Sequence, residues 1–171
     1  KKWDNGKGPP DTYQHDPPIL EDQESTIINR GKELIHKYGL PTRCICSPYL
    51  RTRQTAELLT KNCQIPIEIS QDVSEYLGNQ SLIDGSNEPH VHTETMNFYP
   101  PPIKETIDDF RKRCHLHLKS LGVYSRTNTN QIIWVITHGI VIKTIHNEIR
   151  YKIQNCEKIK KYHELDCFVY L

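Results

Sequence analysis

Two short stretches of the sequence carry side chains suited to binding an anion. The first, residues 43–56, reads RCICSPYLRTRQTA and places Arg51 and Arg53 shortly after an apolar run. A planar guanidinium with its fork of N–H donors matches a phosphate group better than an ammonium does. The second is the apolar run 132–136, which ends in the sequence Thr-His-Gly at residues 137–139. The arginines of one stretch and the histidine of the other are suited to face one pocket.

Each stretch is predicted to run from a buried strand into the first turn of a helix. In the first stretch, Ser47 is predicted to cap the helix, and Pro48 suits the first helical position because no backbone N–H is needed there. The exposed N–H groups and the positive helix end favour an anion at this junction. In the second stretch, the unbroken apolar run indicates a strand covered on both faces and central in its sheet.

The other elements must position these two junctions. Helices are predicted over residues 23–38, 49–62, 103–121 and 140–150, and strands over 42–46, 66–69, 132–136 and 167–171. Because strands and helices alternate, the chain is predicted to be an α/β domain with a largely parallel sheet. The charged residues of helix 103–121 are predicted to form a solvated face: Asp108, Asp109, Arg111, Lys112 and Arg113.

Composition limits the classes of function. The chain has 171 residues, enough for one domain, and 36% hydrophobic with 25% charged residues is ordinary for a globular protein. The formal net charge of +1 gives no electrostatic case for a nucleic-acid or membrane partner, and no apolar run has transmembrane length. Six scattered cysteines without a C-x-x-C pair indicate reduced thiols, hence the cytoplasm or another reducing intracellular compartment. No metal site or cofactor is predicted.

The two motifs resemble those of the histidine phosphatase superfamily, which includes cofactor-dependent phosphoglycerate mutases and acid phosphatases. Residues 47–56 match its pattern S-P-x-x-R-x-x-Q-T-A, and residues 137–139 are similar to its late histidine motif. The resemblance implies a phosphoglycerate mutase-like fold, a three-layer α/β/α arrangement around a largely parallel sheet. It also implies that Arg51 and His138 bind the phosphoryl group of a phosphorylated substrate.

The resemblance extends to the proton donor with less specificity. In the family, a glutamate in a loop shortly after the strand that corresponds to residues 66–69 often serves as the general acid, and Glu75 is the best match. The alternative for Glu75 is an ordinary solvent-facing loop carboxylate. The catalytic residues implied are therefore Glu75 and His138. Arg53 occupies a variable position of the pattern and is given only a supporting role in phosphate binding.

One family motif is missing from the sequence. The Arg-His-Gly that carries the nucleophilic histidine at the end of the family's first strand does not occur in these 171 residues. Residues 16–20 are similar to a segment that lies just after that motif, so residues 1–171 are expected to form a single domain that lacks its first strand. Because losing a central strand leaves backbone groups unpaired, further residues are expected upstream. His15 is a poor substitute nucleophile because two prolines place it in a loop.

Two functions remain open from the sequence, so whether the chain is an enzyme is undecided. The first is hydrolysis of a phosphoric monoester through a phosphohistidine supplied by the missing strand. The second is a catalytically inactive, phosphatase-like subunit that acts as a structural or binding component of a larger assembly. Its protein partners would bind the long polar stretch 78–102, an insertion or lid of a length unusual inside a compact domain.

Overall fold

A computed structural model of the chain describes residues 18–76, 105–121 and 132–152. Its helices are α1 (Glu24–Tyr38), α2 (Leu50–Leu59), α3 (Ile107–Ser120) and α4 (Gly139–Lys152), and its strands are β1 (Arg43–Cys46), β2 (Ile67–Ile69) and β3 (Ile133–Ile136). Single 3₁₀ turns cover Glu21–Gln23 and Gln71–Val73. His15, the predicted insertion 78–102 and the predicted strand 167–171 lie outside the described residues. Among the helices described, none has the length and apolar character needed to cross a membrane.

The three strands form one parallel sheet in the order β2-β1-β3. Cys44 of β1 lies opposite Ile67 of β2 on one side and Trp134 of β3 on the other. Parallel neighbours need a crossover connection, and α2 and α3 lie in the two connections between these strands. The predicted α/β class with a parallel sheet is confirmed. The residues that follow the three strands therefore meet at one edge of the sheet.

Helices cover the sheet to give the α/β/α layering. Ile27 and Leu34 of α1 and Leu59 of α2 form a buried cluster that packs against Trp134 and Ile136 of β3. Side chains alternate along a strand, and Ile45, which points to the face opposite its two neighbours, is also buried. The second helical core comes from α3 and α4, through Phe110, Cys114, Leu118, Val141 and Ile145.

The strand β3 lies at one edge of the sheet within the part of the chain that the structure describes. The prediction that this run is central in the sheet and covered on both faces stays a prediction. The four residues of β3 are all half-buried. β1 pairs with one side of β3, and no described strand pairs with the other side. The central strand of the described sheet is β1, where Cys44 and Cys46 are completely buried.

The close approach of α1 to α2 depends on a glycine. A Cβ atom built on Gly31 would lie 2.2 Å from the backbone carbonyl oxygen of Leu59. No side chain fits there, so the two helices can only pack at this distance because residue 31 has none. This contact holds the far end of α2, whose first turn carries Arg51.

Three of the four cysteines that the structure describes, namely Cys44, Cys46 and Cys114, are buried. Burial raises the pKa of Cys44 to about 12 and that of Cys46 to about 11, so both stay protonated at neutral pH. The described residues contain no group of His, Cys, Asp and Glu side chains placed to hold a metal ion.

Candidate active site

Side chains from three separate junctions converge at the carboxyl edge of the sheet. Arg51 lies in the first turn of α2, just after β1, and His138 lies between β3 and α4. Glu75 follows the 3₁₀ turn Gln71–Val73, which comes directly after β2. Because the strands are parallel and adjacent, segments far apart in the chain are brought within hydrogen-bonding distance.

Arg51, Glu75 and His138 form a closed triangle of polar contacts. The Oε2 atom of Glu75 lies 2.9 Å from Nδ1 of His138 and accepts a hydrogen bond of 3.1 Å from Nη2 of Arg51. The same Nη2 atom lies 3.1 Å from Nδ1 of His138. The imidazole is buried, whereas the side chains of Arg51 and Glu75 keep 27% and 24% of their exposure. The accessible side of the triangle is therefore the one formed by the guanidinium and the carboxylate.

Ser47 holds the other nitrogen of the imidazole. Its Oγ lies 2.7 Å from Nε2 of His138, and both residues are buried. The prediction that Ser47 caps α2 is wrong, because the helix begins at Leu50 and the residue at the cap position is Tyr49. The hydroxyl of Thr52 instead donates to the carbonyl oxygen of Ser47 at 2.8 Å. The serine hydroxyl is thereby directed to the histidine rather than to the helix.

Tyr49 is a site residue that the sequence analysis did not identify. Its ring meets the ring of His138 edge-on, with centroids 4.9 Å apart and planes at 76°. The guanidinium carbon of Arg51 lies 4.7 Å from the centroid of the same tyrosine ring, within the range of a cation–π contact. Tyr49 thus supports both phosphate-binding candidates. The sequence could have pointed to Tyr49 only through its place between Ser47 and Arg51, but the family pattern S-P-x-x-R allows any residue at that position.

The electrostatics of the triangle keep Glu75 ionised. Burial by itself raises the pKa of Glu75, but the hydrogen bond from His138 and the charges of His138 and Arg51 outweigh burial, so the pKa lies below its ordinary value of 4.5. Glu75 lies on Nδ1 of the imidazole and Ser47 on Nε2, so both ring nitrogens have partners. Glu75 is therefore not an ordinary solvent-facing loop residue, since its carboxylate contacts Arg51 and His138.

Arg53 is not brought into this network. No hydrogen bond or ion pair among the described residues joins Arg53 to Arg51, Glu75 or His138, and its Nε atom is buried without a hydrogen-bond partner. Its charge acts instead on the thiol of Cys46, where it opposes the effect of burial on the pKa. Because each helical residue turns by about 100°, the side chain of Arg53 leaves the helix about 200° away from that of Arg51. This rotation explains why Arg53 does not join the contacts of Arg51.

The prediction that Arg113 belongs to a solvated face is wrong. Its side chain is only 11% exposed and makes an ion pair with Glu105, whose side chain is 6% exposed. The neighbouring Arg111 fits the prediction, with 61% exposure and a single helical-neighbour pair to Asp108. The signal was present in the sequence, because Arg113 follows Phe110 by three residues and so lies on the same side of α3.

The chain resembles known proteins in sequence pattern and in fold. The family model described as histidine phosphatase superfamily (branch 1) matches residues 12–163. The ecdysone phosphate phosphatase from Bombix mori gives a TM-score of 0.59 at 15% identity, covering 94% of this chain and 67% of that one. YhfR from Bacillus stearothermophilus gives a TM-score of 0.53 at 22% identity, covering 80% of this chain and 68% of that one. A mycobacterial glucosyl-3-phosphoglycerate phosphatase gives a TM-score of 0.54 at 16% identity, covering 79% of this chain and 68% of that one. Comparison of the sequence with curated proteins gives no match. At these identities the solved structures establish the fold alone.

Proposed function

Since the chain belongs to the histidine phosphatase superfamily, we propose that it is a phosphoric monoester hydrolase that uses Arg51 and His138 to bind the phosphoryl group and Glu75 to protonate the leaving oxygen. The observation that carries this proposal is the triangle of contacts, none longer than 3.1 Å, that these side chains make at the carboxyl edge of the sheet. Ligands of open α/β sheets bind at that edge.

Arg51 and His138 supply the donors that a phosphoryl group needs. The guanidinium presents several N–H groups in one plane, and the Arg51 side chain keeps 27% of its exposure. The first turn of α2 adds the positive end of a helix dipole to the charge of Arg51. Within a largely buried site, these donors stabilise the charge that develops on the phosphoryl oxygens more strongly than water does.

Glu75 has to change its protonation state to act as the acid. In the ligand-free protein it is a carboxylate paired with Arg51 and His138. A phosphoryl dianion that takes over those two partners removes the stabilisation of the carboxylate and adds a like charge beside it, and both effects raise the pKa of Glu75. The protonated carboxyl then gives its proton to the ester oxygen as the phosphorus–oxygen bond breaks. The nucleophile, a histidine by family resemblance, is not assigned to any described residue.

Hydrolysis of p-nitrophenyl phosphate tests this function. The protein is expressed from its natural start codon, and its turnover is compared with that of the variants His138→Ala and His36→Ala. His36 is an exposed histidine of α1 outside the site and serves as the matched control. We expect His138→Ala to lose at least about 100-fold in kcat/KM and His36→Ala to match the wild type. Absence of turnover by the wild type would contradict the proposal.

Anion binding provides a second measurement that does not require turnover. The structure of the Bombix mori phosphatase is a complex with tungstate. We expect tungstate to bind this chain with one equivalent per chain and to shift the ring NMR signals of His138 but not those of His36. A tungstate titration that leaves the His138 signals unchanged would show that the triangle is not a phosphate site.

An inactive, phosphatase-like subunit is the second candidate. The observation that favours it is that Glu75 already contacts both groups that would bind the phosphate, Arg51 and His138. In that case the triangle serves stability rather than catalysis. Brief treatment with a ³²P-labelled phosphomonoester separates the two functions. An acid-labile label on a histidine excludes the inactive subunit, whereas no label and no turnover would support it.

A further inference from the structure

The loop that carries Glu75 is held by its backbone carbonyl groups. Nη1 of Arg113 donates to the carbonyl oxygens of Gln71 at 3.0 Å, Asp72 at 2.8 Å and Ser74 at 3.3 Å. The carbonyl oxygen of Val73, between them, accepts from Oγ1 of Thr137 at 2.5 Å. All four carbonyl groups that precede Glu75 thus accept from side chains of elements outside the loop.

Arg113 is itself fixed from two sides. Its Nε donates to Oε2 of Glu105 at 3.0 Å, its Nη2 donates to Oε1 of the same carboxylate, and both side chains are nearly buried. The guanidinium carbon also lies 5.1 Å from the ring centroid of Phe110. A guanidinium oriented by a two-point ion pair has little rotational freedom, so its remaining N–H groups are held in one direction.

The same surface of α3 reaches the residue after Glu75. The ring of Tyr76 stacks on the ring of Phe110, with centroids 4.9 Å apart. Glu75 therefore lies between a backbone segment bound by Arg113 and a side chain bound by Phe110. Neither contact involves the carboxylate, which is left to meet Arg51 and His138.

We propose that Arg113 is a positioning residue that, oriented by Glu105, holds the loop Gln71–Ser74 so that Glu75 lies against Arg51 and His138. Its catalytic consequence rests on the function proposed above, whereas its structural consequence can be measured without turnover. Arg113 acts through the backbone and does not touch the reacting atoms. A displacement of about 1 Å at a catalytic group is enough to lower a rate by roughly 100-fold.

The test compares Arg113→Lys with Arg111→Lys, the same substitution on an exposed arginine of the same helix. Lysine keeps the charge but cannot donate to Glu105 and to three carbonyl groups in fixed directions. The first readout is the pH titration of the Glu75 side-chain carboxyl followed by NMR. We expect the pKa of Glu75 to rise towards its ordinary range in Arg113→Lys, because the carboxylate leaves Arg51 and His138. In Arg111→Lys we expect the pKa of Glu75 to equal that of the wild type.

The second readout is the division of the kinetic effect. We expect Arg113→Lys to lower kcat at least about tenfold while KM stays within about twofold, because the phosphate-binding residues keep their places and only the acid moves. Should Arg113→Lys fail to fold, Glu105→Gln takes its place. It retains the arginine but weakens its anchor, and a smaller change in the same two quantities is expected.

A Glu75 titration identical in Arg113→Lys, Glu105→Gln and the wild type would overturn the positioning role. Loss of stability with an unchanged titration would do the same, since it would mark the ion pair as structural only. If the wild type hydrolyses no phosphomonoester, the hydrolase function fails, and the titration alone still decides whether Arg113 positions Glu75.

Discussion

The hydroxyl oxygen of Ser47 lies 2.7 Å from the Nε2 atom of His138, across 91 positions of the sequence. This contact joins the two motifs directly, since one residue begins the serine–proline motif and the other is the centre of the Thr-His-Gly motif. With Glu75 on Nδ1, both ring nitrogens of the imidazole are occupied. The orientation of the ring is thereby determined from two opposite sides.

Replacing Ser47 by alanine should release one side of the ring. We expect Ser47→Ala to lower kcat/KM about tenfold and the free energy of unfolding by roughly 1–3 kcal/mol, because a buried ring nitrogen loses its partner. The control is Thr60→Ala, which removes another buried hydroxyl, bonded to the carbonyl oxygen of Ala56 at 2.8 Å. It should lower stability without a change in activity. Equal kinetics of the two variants would contradict a role for Ser47 at the site.

Arg51 should not tolerate lysine. We expect Arg51→Lys to lower kcat/KM by about 10- to 100-fold, because a single ammonium cannot donate to several phosphoryl oxygens in the geometry of the planar fork. The matched control is Arg43→Lys, which breaks a two-point contact with Glu68 on the exposed part of the sheet. That variant should keep full activity and change stability by less than about 1 kcal/mol. An Arg51→Lys enzyme with wild-type kcat/KM would argue against phosphate binding by Arg51.

Stability should depend on pH through Glu75. Its pKa in the folded protein lies below the ordinary value of 4.5 that holds in the unfolded chain. The carboxylate therefore stabilises the fold above pH 4.5, and this contribution disappears as the pH falls through the folded pKa. We expect urea unfolding to show Glu75→Gln less stable than the wild type at about pH 7, with the difference shrinking by about pH 3.

The control for this pH dependence is Glu33→Gln. Glu33 pairs with Arg30 on the exposed side of α1, and its side chain keeps 65% of its exposure. An exposed helical pair contributes little, so the Glu33→Gln variant should follow the wild type at both pH values. If the difference in free energy of unfolding between the wild type and Glu75→Gln did not change with pH, it would contradict the pairing of this carboxylate.

Gly31 should resist substitution although it lies inside a helix. Alanine is the better helix former by about 1 kcal/mol. The added Cβ would nevertheless meet the carbonyl oxygen of Leu59 at 2.2 Å, and we expect Gly31→Ala to lower the free energy of unfolding by roughly 1–3 kcal/mol. Gly139, at the start of α4, has no atom within 4 Å of such a Cβ. Gly139→Ala should therefore leave stability within about 0.5 kcal/mol, and equal losses in the two variants would contradict the packing explanation.

The convergence of Arg51 and His138 could be predicted from the sequence because it follows from local patterns and one topological rule. Each residue comes just after an apolar run, and the carboxyl ends of parallel strands lie at one edge. The prediction required no knowledge of strand order, only that the strands of the sheet are parallel. The elements α1, α2 and α3 were predicted within a few residues of their ends for the same reason, namely the strength of their periodic patterns.

The interactions that orient the side chains could not be predicted in this way. Whether Ser47 caps a helix or binds an imidazole depends on a partner 91 positions away. The helical pattern places Arg113 on the side of Phe110, but it does not encode the three carbonyl groups of a loop outside α3 to which Arg113 donates. The place of β3 in the sheet depends on which segment pairs with the side of β3 that faces away from β1. Each of these is a tertiary contact, and tertiary contacts decide between alternatives that are locally equivalent.

The position of β1 between its two partners has a consequence for how the protein is made. A ribosome adds about 5–20 residues per second, so roughly 5 to 20 s separate Ser47 from His138 as the chain emerges. During that time the side of β1 that will pair with β3 presents unpaired backbone groups, and such an edge invites non-native pairing. Pairing of β3 with β1 satisfies these backbone groups, and the same step brings His138 to the site, because His138 follows β3 directly. A nascent chain released before residue 133 has neither a protected β1 nor the histidine of the site.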